Sequence, residues 1–162
     1  MLFYFPIEPY EERYTKVLDN IIQKKLKARG IGYKVYYGKQ ISKSVERGQV
    51  LDAIGRPYYC LTQIEQFMED VHKGNVKKGD RIFTTDIWLF GLEGIAYLSD
   101  LMKLELKFYG FNCAGTFEKY DFLALTGIKR WGKNLEKSWF EFAEKVFFAD
   151  ERLRQMALKA KM

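Results

Sequence analysis

The chain has 162 residues, of which 48% are hydrophobic, 30% charged and 17% aromatic, the size of about one domain and too rich in rings for a disordered chain. Thirteen Gly and three Pro exclude collagen-like and low-complexity classes. Two widely spaced cysteines, Cys60 and Cys113, and a single histidine, His72, exclude a disulfide framework, a zinc motif and a His-based metal site. The net charge of +6 is uneven: +5 over residues 1–50, −3 over 51–100 and +4 over 101–162. That balance serves solubility and attracts phosphate-bearing partners, but no block of like charge reads as a nucleic-acid tail.

The amino-terminal run Leu2 to Ile7 is wholly apolar, as in a strand buried on both faces of a parallel sheet. Pro6 and Pro9 end it. From Tyr10 a helix follows, with Tyr14, Val17, Leu18, Ile21, Ile22 and Leu26 on one face. Glu11 and Glu12 at its start and Lys24, Lys25, Lys27 and Arg29 at its end suit the helix dipole, and Gly30 stops it. Tyr33–Tyr37 reads as a second strand. Gly38, Gly48, Gly55 and Pro57 punctuate a long connection with a short helix or hairpin. A second helix is expected from about Leu61 to His72, with Ile64, Phe67, Met68 and Val71 inward.

Arg81–Thr85 reads as the third strand, and Asp86 follows at its carboxyl end. Leu92–Met102 is a helix and Leu106–Phe111 a fourth strand. Asn112 to Gly127 is aromatic-rich and irregular. Leu135–Ala143 is a helix with Leu135, Trp139 and Phe142 inward, Val146–Ala149 a fifth strand, and Asp150 caps a last helix from Glu151 to about Lys161. The alternation predicts one α/β domain over residues 1–162: a Rossmann-like three-layer fold whose mostly parallel sheet has about five strands, ordered 3-2-1-4-5 or close to it, with Leu2–Ile7 central. Met1–Pro6 lacks a basic leader and is broken by proline, and no run approaches the roughly 18 apolar residues of a membrane span. A cytoplasmic protein is therefore expected.

In open parallel sheets, ligands bind beyond the carboxyl ends of the strands. The candidates there are Glu8 and Arg13 after the first strand, Asp86 and Trp88 after the third, and Cys113, Thr116, Tyr120 and Asp121 after the fourth. Asp86 is the candidate catalytic group, since a carboxylate at a strand end accepts or orients a hydroxyl; its other reading is a turn-organising carboxylate. Trp88, Trp131 and Trp139 are more often core than platform, and Trp88, in a loop, is the best candidate for stacking. Cys113 has no histidine near it in sequence and reads as a buried thiol lining the site. Neither G-x-G-x-x-G nor G-x-x-x-x-G-K-[ST] occurs, so dinucleotide and P-loop readings fail, and no cofactor or metal is called for.

Three stretches carry a resemblance: Pro6-Ile7-Glu8-Pro9-Tyr10-Glu11-Glu12-Arg13-Tyr14-Thr15, Asp86-Ile87-Trp88-Leu89-Phe90-Gly91-Leu92-Glu93 and Cys113-Ala114-Gly115-Thr116-Phe117-Glu118-Lys119-Tyr120-Asp121-Phe122. They resemble the amino-terminal half of GT-B glycosyltransferases, in particular a phage-type group, and Lys145–Asp150 is similar to the last strand of that half. The likeness runs over nearly the whole chain. Phe90 departs from a proline common in the group, and Cys113 from a histidine. The resemblance implies an acceptor-side domain or subunit, incomplete without a donor-binding domain that carries the nucleotide sugar. The acceptor would be a modified nucleic acid or a glycan. Asp86 would orient or deprotonate its hydroxyl, and Arg13 and Thr116 would contact phosphate or acceptor. Two other readings stand beside it: a non-catalytic binding or regulatory module that kept the fold, and a small flavodoxin-like enzyme acting on a nucleotide.

Overall fold

A computed structural model describes residues 1–10, 14–41, 52–125 and 127–162. The elements in chain order are β1 (Leu2–Phe5), α1 (Tyr14–Ala28), β2 (Tyr33–Val35), α2 (Gly55–His72), β3 (Arg81–Thr84), α3 (Leu92–Leu101), β4 (Lys107–Asn112), α4 (Phe122–Leu125), α5 (Lys129–Phe142), β5 (Ala143–Phe148) and α6 (Glu151–Lys159). The five strands form one sheet in the order β2-β1-β3-β4-β5, and every pairing is parallel. The fold is thus α/β, Rossmann-like and three-layered, with helices flanking an all-parallel sheet.

The order differs from the expected 3-2-1-4-5. The chain steps out once, from β1 to β2, then crosses back over β1 to β3 and continues to the far edge. This is the flavodoxin-type doubly wound order, whose switch point lies between β1 and β3. β1 is interior, as its unbroken apolar run requires. Phe3 and Phe5 point to the face covered by α2, where their ring centroids lie 5.4 and 5.7 Å from Phe67. Tyr4 points the other way, stacks on Phe83 at 5.7 Å and lies beside Asp19 of α1. All three are at most 2% exposed, and each such ring contributes roughly 1.5–3 kcal/mol on burial. At the opposite edge β5 is half exposed and carries Glu144 and Lys145, charges that discourage pairing with a further strand.

Several boundaries move. α2 begins at Gly55, not near Leu61, because the side chain of Asp52 accepts from the amides of Ile54 and Gly55 (3.0 and 2.9 Å) and Pro57 fits the first turn. α5 begins at Lys129 rather than Leu135, and β5 at Ala143 rather than Val146. The proposed apolar face of α1 is only partly inward. Leu18, Ile22 and Leu26 are half-buried, whereas Tyr14, Val17 and Ile21 are 53, 60 and 50% exposed. The buried positions of α1 are Thr15 and Asp19, because Asp19 answers Tyr37 and Gln23 with hydrogen bonds of 2.7 and 2.9 Å. Met68 also turns outward. Asp150 caps α6 as expected, its carboxylate accepting from the amide of Leu153 at 2.7 Å. The expected helix start at Tyr10 involves Glu11 and Glu12, which lie outside the described residues. Among the described residues no helix is long and apolar enough to cross a membrane.

On the α2 face, Asp70 is a caged carboxylate. It takes the Lys34 ammonium, the Tyr36 hydroxyl and, at 2.9 Å, the Asn75 amide. Burial works against its charge, but these three donors together hold its pKa at about 2. A depressed acid stabilises the fold only while ionised, so its contribution is full above the ordinary carboxylate range near pH 4 and is lost as pH falls through about 2. Asp70→Asn should cost about 1.5–3 kcal/mol at neutral pH. Denaturant unfolding across pH should show that gap narrowing in acid; a gap independent of pH would refute the cage.

Candidate functional site

The carboxyl ends of β1, β3 and β4 meet at one rim, and the switch crevice opens between β1 and β3. One side chain from α2 fills it. Arg56, in the first turn, is 3% exposed. It donates through Nη1 to Glu8 Oε2 at 2.5 Å, and through Nη2 to Asp86 Oδ2 at 2.9 Å and the Trp88 carbonyl at 3.0 Å. Burial opposes the guanidinium's charge, yet the Asp86 and Glu8 carboxylates leave its pKa raised. The two carboxylates differ in access: Glu8 is buried (4% of its side chain exposed), whereas Asp86 keeps 23%. Asp86 is also held at Oδ1, which accepts from the Trp88 amide at 3.0 Å. Thr84 Oγ1 donates to the Asp86 carbonyl at 2.9 Å, tying the turn to the strand end.

A second polar centre lies beside the first. Glu136 of α5 is fully buried. Its carboxylate accepts from Trp88 Nε1 at 2.8 Å, from the Thr116 amide at 3.0 Å and from the Thr116 hydroxyl. Burial pushes its carboxyl up, its donors oppose this, and the Asp121 charge adds to the rise. Gly115 makes the arrangement possible, since a Cβ there would lie 2.1 Å from Glu136 Oε1. The loops after β3 and β4 are therefore bolted to α5 through one carboxylate.

The remaining candidates fall as follows. Trp88 is 6% exposed and meets Trp139 edge to face at 4.9 Å, so it is a core residue and not a surface platform. Thr116 is 2% exposed and committed to Glu136. Cys113 is half-buried rather than buried, and its sulfur accepts from the Tyr14 hydroxyl at 3.2 Å. Asp121 caps α4 through the Leu123 amide at 2.8 Å, and its carboxyl is pushed up by burial, with Asp86 and Glu118 adding like charge. Tyr120 is 74% exposed beside Lys119. Arg13 lies outside the described residues. The rim thus brings together Glu8, Asp86, Asp121 and Thr116, with Cys113 at the same strand end as Thr116; Tyr120 stands outward from them.

Sequence reasoning missed Arg56 and Glu136. The signal for Arg56 was present: Asp52 as a capping residue and Pro57 in the first turn start a helix. For Glu136 the signal was a carboxylate in the row Gly132, Glu136, Trp139, whose other members are buried at i, i+4, i+7 spacing.

Chemically, the crevice carries carboxylates around one cation. Glu8 stands at the end of β1, where doubly wound nucleotide binders present amides to phosphate. A buried carboxylate there repels phosphate and accepts from hydroxyls. Among the described residues no group of three or more His, Cys, Asp or Glu is arranged to hold a metal ion. No known protein family matches the chain, and neither does any curated protein or solved structure.

Arg56→Met should destabilise the fold by about 3–5 kcal/mol, because Glu8 would be left buried without its partner. Adding Glu8→Gln should return part of that loss. A double-mutant cycle by denaturant unfolding measures the coupling, and strictly additive losses would show that the pair is not linked.

Proposed function

We propose that the chain is the acceptor side of a glycosyl transfer site, acting with a donor-binding domain or subunit that carries the nucleotide sugar. The observation that carries the reading is Asp86, a partly exposed carboxylate at the switch point, gripped at both oxygens by buried or backbone donors. A carboxylate oxygen can accept from more than one donor. A hydroxyl of a glycan or modified nucleic acid at the mouth of the crevice would donate to Asp86 and be held in line with the donor's anomeric carbon. The bond from that carbon to the nucleotide phosphate breaks, the bond to the acceptor oxygen forms, the hydroxyl proton passes to the Asp86 carboxylate, and the nucleotide leaves as its phosphate anion. Arg56 Nη2 and the Trp88 amide fix the direction in which the Asp86 carboxylate faces, so Asp86 also orients the hydroxyl. Glu8, with its carboxylate under the first loop, supports sorting in favour of the hydroxyl and against the donor phosphates. The resemblance of Pro6–Thr15, Asp86–Glu93 and Cys113–Phe122 to the amino-terminal half of GT-B enzymes points the same way.

One observation favours a second reading. The strand order is that of flavodoxin-type sheets, which bind a nucleotide at this switch point. Glu8 and Arg56 stand against it, since they fill the crevice with an ion pair.

The two readings separate in a binding experiment on the chain by itself. Saturation-transfer NMR should detect hydroxyl-rich acceptors, glycans or hydroxymethylated nucleosides, and no nucleotide sugar or flavin mononucleotide. Tight nucleotide binding would overturn the acceptor-side reading. The 162 residues alone should give no multiple turnovers with any nucleotide sugar, since positioning supplies about 7–11 kcal/mol of such a barrier. With a donor domain supplied, Asp86→Asn should lower turnover by about 10²-fold or more while acceptor affinity changes little. Unchanged turnover with the fold intact would reduce Asp86 to a turn-organising residue.

A further inference from the structure

Away from the rim, α2 and α3 leave a groove of about 720 Å³ between them. Its α2 wall is a continuous helical face of about three turns: Leu61, Ile64, Glu65, Met68, Glu69 and His72 recur at i, i+3, i+4 spacing. That face spans about 16 Å at the helical rise. The α3 wall is low because Gly91 and Gly94 form it. A Cβ on Gly91 would lie 2.9 Å from Ile64, and one on Gly94 3.1 Å from the end of Met68. The apolar strip is left open to water: Leu61 is 53% and Met68 39% exposed.

The charge of the groove runs against that of the molecule. The protein carries +6 overall, whereas Glu65, Glu69 and Glu93 line the groove with no Lys or Arg among the lining residues. Glu69 has Lys73 at 2.9 Å, but both are largely exposed, and such a pair is readily exchanged for another cation. We infer that this groove docks a basic amphipathic helix of a partner protein, about three turns long. Leu-like side chains at i, i+3 or i+4, and i+7 would cover the exposed Leu61 and Met68 on either side of the buried Ile64, and Lys or Arg on its flanks would meet Glu65, Glu69 and Glu93. This is the helix-in-groove mode of recognition, with electrostatic complementarity setting the choice of partner. The inference does not depend on the glycosyl-transfer reading.

A second copy of the chain is the competing occupant, since α1 exposes Tyr14, Val17 and Ile21 above Lys24 and Lys25. That contact would join α1 of one copy to the α2–α3 face of the next, a head-to-tail arrangement prone to open chains.

The test uses the full chain and a synthetic helical peptide of Leu and Lys, with Leu at i, i+3, i+4, i+7 spacing, and a matched peptide in which Glu replaces every Lys. At low salt the Leu/Lys peptide should shift the amide resonances of Leu61–His72 and Gly91–Gly94, and the Glu peptide should not. Glu65→Lys combined with Glu93→Lys should weaken binding by about tenfold or more. Both residues are exposed, so the fold is undisturbed. The same charge change at exposed Glu141 and Glu144, outside the groove, should leave affinity within about twofold. Equal loss in the two double variants, equal binding of the two peptides, or shifts elsewhere on the surface would overturn the inference. So would concentration-dependent sedimentation of the chain abolished by the Glu65→Lys and Glu93→Lys pair, which would assign the groove to a second copy.

Discussion

A single buried guanidinium organises the carboxyl edge of this sheet. Arg56 joins three segments that are far apart in sequence: the loop after β1 through Glu8, the turn after β3 through Asp86 and Trp88, and the first turn of α2. Without a cation at that place, two carboxylates at the ends of neighbouring strands would repel one another inside the protein. With it, one carboxylate is locked away and the other is presented at the mouth.

The edge is stiffened a second time by Glu136. This carboxylate does for β3, β4 and α5 what Arg56 does for β1, β3 and α2, with the sign of charge reversed. Trp88 belongs to both centres: its carbonyl and amide serve the Arg56–Asp86 turn, and its indole N–H serves Glu136. The loop that presents Asp86 is therefore fixed from two sides by groups that water does not reach. Such a scaffold suits a site that must hold a small hydroxyl in one direction, because little reorganisation remains when the ligand arrives.

Much of the fold is legible in the sequence, for reasons that lie in particular segments. Leu2–Phe5 has no polar residue, which only a strand covered on both faces tolerates, and the alternation of strand and helix then selects a parallel sheet. Strand order was not legible, since it depends on which way the chain turns after the short β2, and nothing in Tyr33–Val35 encodes that direction. Asp86 could be placed at a strand's carboxyl end because it follows a clear strand. Trp88 stood between core and platform because a tryptophan in a loop resembles an exposed platform until the packing of Trp139 is known. Arg56 was hidden by Gly55 and Pro57, which look like turn punctuation while in fact opening a helix whose entry Asp52 holds through the amides of Ile54 and Gly55.

The fit between Gly115 and Glu136 constrains how this surface can diversify. A side chain at 115 would have to occupy the volume already held by the Glu136 carboxylate. The two positions therefore drift together or not at all: any lineage that gains a side chain at 115 must shorten or redirect residue 136. Doing so also frees the Trp88 indole and the Thr116 hydroxyl, so a single substitution in the loop after β4 would reach the floor of the crevice through a buried acid. Paired change at 115 and 136 is thus the pattern by which diverged forms of this domain would show that the loop after β3 has been released to adopt another shape.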